Sequence, residues 1–343
     1  MDPLSFFSQA RVFIVTGKGG VGKTTLSGVM ANLAAERGLR ALVVQLGTPG
    51  ARHEPEPAYL GHLFGSPGPL GYQQVTLRTA RSGPGGNGEV SARAVRPDSA
   101  LVEYLHLHGM RRLSHRLVSS GALDIVATAV PGMPDMLVLG KVKQMERAAA
   151  TRQPGAPDVI VLDAPAAGHA VRFLQSPRGL LDAAAGGPVR SQAEEVVEML
   201  EDPVRCQVLL VTTAEETPVS EAVETAALLE DRAGVKLCAV VVNGTYPVLP
   251  LPDLADPAEL LAAISQLGVE LSPAECEALV AAARARRQRQ DSQAAQVARL
   301  AVELPLPQLE LPFCFSAEMG TEQLHVLTDA LAASVERWAP VTA

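Results

Sequence analysis

Residues 15–25 read VTGKGGVGKTT, and the chemistry of this stretch depends on what flanks it. Upstream, 11–16 (RVFIVT) is a short apolar run rich in β-branched residues, which predicts a buried strand. Downstream of Thr24, apolar residues recur at Leu26, Val29, Met30, Leu33 and Ala34. That is the spacing of a one-sided helix, and Gly38 is positioned to stop it. A second apolar run, 39–46 (LRALVVQL), follows, so the glycine-rich loop falls at the first turn of a βαβ unit.

In that setting Gly17 to Thr24 satisfies G-x-x-x-x-G-K-[ST]. Glycines let successive backbone N–H groups turn inward around a phosphate without Cβ clashes, and the helix N-terminus adds partial positive charge. Lys23 is expected to reach the β- and γ-phosphates, and the Thr24 hydroxyl to ligate Mg²⁺. The expected nucleotide contacts are Gly19, Gly20, Val21, Gly22, Lys23, Thr24 and Thr25, with ATP or ADP as ligand. A glycine-rich turn that binds nothing is the weaker reading, because both the strand and the helix are in place.

The 343 residues accommodate one large or two ordinary domains, and 47% hydrophobic against 19% charged residues is the balance of a globular protein with a large core. A net charge of −8 argues against broad affinity for nucleic acid or anionic membranes. At most, peripheral membrane association is expected. The N-terminus lacks a basic start and a small-residue cleavage site, and no apolar run approaches membrane-spanning length, so a cytoplasmic location is expected. Cys206, Cys238, Cys276 and Cys314 are widely separated with no C-x-x-C, which predicts core thiols and no zinc site. His106 and His108, two apart on a predicted helix, point to different faces and are not expected to share a metal.

Further strands are expected at 73–80, 89–95, 159–163, 207–213, 237–243 and 308–313, the first two joined as a hairpin through GPGGNG at 83–88. Several of the others are near-continuous apolar runs followed by helical patterns, as in a parallel sheet covered on both faces. Three stretches read as wholly helical: 99–151, 179–200 and 256–299. Ser191 with Glu194 and Ser272 with Glu275 fit capping boxes, and Thr217-Pro218 opens another helix. The expected fold is α/β, a doubly wound, mostly parallel sheet with an inserted helical subdomain. Its organisation is a core in pieces (11–98, 156–178, 204–250 and 303–338), helical insertions (99–155 and 179–203) and a helical hairpin (251–302).

The second chemical element is VIVLDAPAAGH, 159–169. An acid at the carboxyl end of a buried strand is costly unless paired or coordinated, so Asp163 is expected to hold a Mg²⁺-bound water beside Thr24. Gly168, five residues on, is expected to offer its N–H to the γ-phosphate.

These motifs resemble those of the arsenite-pump and guided-entry ATPases, a family of deviant-Walker P-loop proteins. There a KGGVGKTT loop precedes a D-T-A-P-T-G-H-T-x-R-x-L block, matched here by DAPAAGHAVRFL from Asp163 to Leu174. The VVN strand end (Val241, Val242, Asn243), the LPF segment (Leu311, Pro312, Phe313) and a GGPV helix start (Gly186 to Val189) extend the similarity over nearly the whole chain. The resemblance implies that Lys18 is the signature lysine acting across a dimer on the partner's phosphates, as an arginine finger does. It implies that Asn243 hydrogen-bonds the adenine, that Pro312 and Phe313 border the base, and that the client is a hydrophobic protein segment.

Three features depart from the family pattern. The zinc-clamping C-x-x-C is missing, and the pump's metalloid-binding cysteines and its second ATPase half have no counterpart. The switch aspartate that positions the attacking water falls on Gly47. Weak hydrolysis by this chain alone follows, and with it either a homodimer or pairing with a related subunit that carries the acid. Gln45, Glu54 and Glu56 are the nearby candidates to replace it, none of them clearly placed. Met110, Met133, Met136, Met145 and Met199 are read first as core and second as a client surface. The basic cluster Arg284, Arg286, Arg287 and Arg289 is read as a solvated helix face. Two alternative readings are a non-hydrolysing regulatory subunit and a positioning ATPase of the cell-division or chromosome-partitioning type.

Overall fold

The computed structural model describes residues 1–47, 59–66, 68–82, 86–107, 109–120, 130–248, 258, 261–262, 265 and 271–338. Eight strands form one sheet in the order β3-β4-β2-β5-β1-β6-β7-β8. They are β1 (Val12–Gly17), β2 (Arg40–Leu46), β3 (Val75–Ser82), β4 (Gly86–Val95), β5 (Val159–Ala166), β6 (Cys206–Thr213), β7 (Leu237–Thr245) and β8 (Gln308–Pro312). All neighbouring pairs are parallel except β3 with β4, the expected antiparallel hairpin at one edge. Every residue of β1 is buried, as a central parallel strand covered on both faces requires.

One face carries α1 (Pro3–Phe7), α2 (Lys23–Glu36), α3 (Tyr59–Leu63) and the C-terminal α11 (Thr321–Arg337), packed on Phe13, Val43 and Val161. The Met1 ammonium seals this layer by donating to the carbonyls of Val335, Glu336 and Trp338 at 2.6–3.1 Å. These are carbonyls from the end of α11, which an ammonium satisfies.

The opposite face carries α4 (Pro97–Leu107), α6 (Met133–Ala150), α7 (Ala167–Ala183), α8 (Pro188–Glu201) and α9 (Glu216–Leu228), over Ile14, Leu162 and Leu210. The short α5 (Arg111–Ser119) follows α4, and a π-helical turn, Leu229–Ala233, extends α9. The long α10 (Pro273–Glu303) packs on α9 and β7. Glu146 of α6 is almost fully buried and ties this layer to the sheet through Arg11 and Arg205, each at 2.7 Å. Burial alone would raise its carboxyl, but hydrogen bonds from the two guanidiniums prevail and hold it below the usual range.

The helical stretches are interrupted where the backbone turns left-handed. Gly109 (φ 75°) and Gly132 (φ 81°) break 99–151, and Gly187 (φ 89°) separates α7 from α8. Gly187 is also the N-cap of α8, with Pro188 at the first helical position, so Ser191 and Glu194 lie inside this helix and form no capping box. The GG-Pro signal outranks the Ser-x-x-Glu pattern because proline has no N–H to lose at N1. The Ser272–Glu275 box forms as expected. Thr217-Pro218 lies in the first turn of α9, whose N-cap is Glu215. Most of 249–270, and residues 83–85 of the expected GPGGNG turn, lie outside the described residues.

Candidate nucleotide site

β1 lies between β5 and β6, and the loop leaving its carboxyl end sits where the strand order reverses, the crevice where such sheets bind ligands. The loop's shape depends on two glycines. A Cβ on Gly17 would stand 2.0 Å from the Val211 carbonyl oxygen on β6, so no other residue fits there. Gly22 has φ 96° and forms the N-cap of α2. A Cβ at that position would reach the Asn243 amide nitrogen at 2.2 Å.

The candidate phosphate and metal residues converge. Thr24, in the first turn of α2, donates its hydroxyl to Asp163 Oδ2 at 2.7 Å, and Gln45 Nε2 donates to the same oxygen at 3.1 Å. Burial pushes the Asp163 carboxyl upward, opposed by these two hydrogen bonds and by the nearby Lys23 ammonium. Burial likewise pulls Lys23 down, opposed by Asp163. Lys23 Nζ donates to the Lys18 carbonyl at 3.0 Å, curled over its own loop. Gly168 is the second residue of α7, at the end where helical N–H groups lack intrahelical partners. Thr25 is buried, and its hydroxyl pairs with Tyr59 Oη at 3.0 Å.

The signature position has a partner that the sequence does not disclose. Lys18 Nζ meets Glu221 Oε1 of α9 at 2.6 Å, on the same chain. Asn243, at the end of β7, donates Nδ2 to the Val21 carbonyl at 2.8 Å and braces the loop.

Beside it, Phe313 joins Tyr246 and Phe315 in a cluster with ring centroids 4.8–5.2 Å apart. Arg286 of α10 lies over Tyr246 and Phe315 and donates to the Pro247 carbonyl, while Arg289 lies over Tyr246 and pairs with Glu215. These two arginines clamp a strand end and do not form a purely solvated face. Only their spacing on one face of a helix following an aromatic-bearing strand end signals this, and the pairing itself is long-range. Pro312 ends β8, and Phe313 N–H donates to the Thr245 carbonyl at 2.9 Å.

Gly47 follows β2 directly, is buried, and donates its N–H to the Val95 carbonyl at 2.9 Å. A Cβ there would meet Arg96 Cγ at 2.3 Å, so the Arg96 side chain packs against the position where the resemblance expects the switch acid. Gln45 is committed to Asp163 and is a hydrogen-bonding residue of the strand end. Glu54 and Glu56 lie outside the described residues.

Among the methionines, Met136, Met145 and Met199 are core and Met110 is exposed. Cys206, Cys238 and Cys276 are buried free thiols, with burial pushing Cys206 and Cys238 up to about 12. Among the described residues no helix is long and apolar enough to cross a membrane, and no group of three or more His, Cys, Asp or Glu could hold a metal. A Mg²⁺ ion in such a loop needs only one hydroxyl, one carboxylate through water, and the nucleotide's own oxygens. The Thr24–Asp163 pair, a hydroxyl bonded to a part-buried carboxylate, fits that donor set.

Residues 12–243 match the family described as the CobQ/CobB/MinD/ParA nucleotide binding domain. The chain is 32% identical to ATPase BagA of Mycobacterium tuberculosis over 340 residues, which is 96% of this chain and 94% of that protein. It is 28% identical over 252 residues to a putative arsenical pump-driving ATPase of Halobacterium salinarum, covering 70% of this chain and 36% of the relative. It is 30% identical over 197 residues to ATPase ARSA1 of Chlamydomonas reinhardtii, covering 55% and 24% respectively.

Proposed function

Because the chain belongs to the CobQ/CobB/MinD/ParA nucleotide-binding family, as an ATPase related to the arsenical pump ATPases, we propose that it binds Mg-ATP and Mg-ADP in the Gly17–Thr24 loop and hydrolyses ATP weakly on its own. The observation that carries this reading is the convergence of Thr24 and Gln45 on Asp163, beside Lys23 and beneath the glycine loop.

Each residue then has one task. The backbone N–H groups of Gly19, Gly20, Val21 and Gly22, with those of Lys23, Thr24 and Thr25 at the start of α2, cradle the phosphates, and Lys23 leaves the Lys18 carbonyl for the β- and γ-phosphoryl oxygens. A bound Mg²⁺ would neutralise phosphate charge, held by the Thr24 hydroxyl and, through water, by Asp163. Gly168 N–H senses the γ-phosphate. Asn243, whose Nδ2 is committed to Val21, recognises the base by accepting from the adenine exocyclic amine through Oδ1. Pro312 and Phe313 border the base. Lys18 acts in the partner's site, so two chains assemble around nucleotide, and the helices between β4 and β6 shift with the nucleotide state to handle a hydrophobic protein segment.

A second reading, that the chain is the non-hydrolysing member of a pair with a related subunit, is favoured by Gly47 and by the Arg96 side chain packed against it. Holding phosphates and orienting water are separate tasks, and among the described residues only the first has an evident set of side chains. Calorimetric titration with Mg-ADP tests the site. Lys23→Ala should weaken binding by about 10- to 150-fold, the equivalent of losing one charge-assisted contact of about 1.5–3 kcal/mol. Unchanged affinity would remove the assignment.

A further inference from the structure

A cavity of about 650 Å³ lies on the face of α6 turned away from the sheet, walled by α4 and the start of α8. We infer that it is a binding site for a long-chain carboxylate, an acyl chain lying along α6 with its head group at Lys143 and Arg147.

Its apolar wall includes Leu101, Tyr104, Met133, Met136 and Leu137. Flexible thioethers adapt to a chain with many conformers. Lining residues on α6 run from Met133 to Ala148, about 22 Å at 1.5 Å per residue, a reach that suits an extended chain better than a compact ring system. The volume lies within the ordinary range for small-ligand sites, about 300–1,000 Å³.

Gly140 shows that the cavity does not result from poor packing alone. It stands in the interior of α6, lines the cavity, and a Cβ built on it meets nothing within 4 Å. Its φ is not left-handed and no neighbour needs the space, so neither usual reason for a helical glycine applies. Glycine is the poorest helix former after proline. What it provides here is open room.

Charge selects the head group. Lys143 is 4% exposed and lies 2.5 Å from Glu195 and 2.6 Å from Gln192. Arg147 shares the same Glu195 carboxylate at 3.2 Å. Two cations share that one carboxylate, so an added carboxylate there meets net positive charge; on the other side Lys141 holds Glu103 at 2.6 Å, a carboxylate that also faces Arg93. A carboxylate completes the balance, and an alcohol does not.

The test uses the full chain and the fluorescent probe 11-(dansylamino)undecanoic acid, with palmitate and hexadecanol as competitors. No nucleotide is needed, so the outcome is independent of the ATP site. Saturable one-to-one binding is expected, with palmitate displacing the probe at least about tenfold more effectively than hexadecanol. Gly140→Phe fills the space and should weaken the probe at least about tenfold, with ADP affinity unchanged within about twofold. Gly140→Ala serves as the folding control, retaining or raising Tm, and Arg147→Glu should weaken the probe. No saturable binding, equal binding by Gly140→Phe, or equal displacement by hexadecanol would each overturn the inference.

Discussion

If Lys18 acts across a dimer, Glu221 is its resting partner and competes with assembly. The two side chains are 32% and 42% exposed and 2.6 Å apart. An ion pair this exposed contributes about 0.2–1 kcal/mol. Lys18 must leave Glu221 to reach a partner's phosphates, and a symmetric dimer breaks two such pairs, costing about 0.4–2 kcal/mol. Glu221→Gln removes the pair and keeps the side chain's size, so ATP-dependent self-association should tighten by about 2- to 30-fold. Analytical ultracentrifugation with Mg²⁺ and a non-hydrolysable ATP analogue reads the constant directly. Unfolding free energy should change by less than about 1 kcal/mol, which separates release of Lys18 from a folding effect. The gain should vanish in the Lys18→Ala background, because the competition has no object there. A Glu221→Gln protein that associates no more tightly, or gains equally without Lys18, would refute the reasoning.

Two further predictions concern the same site. Burial raises the Asp163 carboxyl in the folded chain, so the folded state holds its proton to higher pH than the unfolded state does. Stability without nucleotide therefore declines as pH rises from about 4 through that raised value, and the loss persists at neutral pH. Asp163→Asn should raise the Tm of the nucleotide-free protein at pH 7, flatten this decline in thermal melts across pH 4–7, and abolish the Mg²⁺ dependence of nucleotide binding. Gly47→Asp alone should fail to restore turnover, because its Cβ crowds Arg96 and its carboxylate pairs with the guanidinium. Gly47→Asp combined with Arg96→Ala should raise steady-state ATPase activity above the unmodified chain.

The eight strands were legible, most of the parallel ones because burial on both faces writes a near-continuous apolar run, and the antiparallel β3–β4 pair because glycine-rich turn residues stand between its two halves. The loop, Thr24 and Asp163 were legible because their chemistry requires specific residue types at the end of a strand and the start of a helix. What the sequence concealed was tertiary pairing. Glu221 is 203 positions from Lys18 and nothing near either residue announces the other. The same holds for Arg286 over Tyr246 and Phe315, for Arg96 against Gly47, and for the Met1 ammonium on the end of α11. Helical periodicity at 99–151 and 179–200 was real, but it ran across glycines whose left-handed φ ends a helix, since apolar spacing is blind to such breaks. Gly47 was visible as a departure from the family pattern, whereas only the structure shows Arg96 packed against it.

The central claim is that nucleotide binding and hydrolysis come apart in this chain. Its most direct test is one purified sample measured twice: Mg-ATP affinity by calorimetry, then steady-state phosphate release at saturating ATP. The account predicts saturable, Lys23-dependent binding with turnover well below about 1 per second, the lower end of ordinary enzymatic rates. Turnover at or above about 1 per second by the unmodified chain, or no nucleotide binding at all, would contradict it.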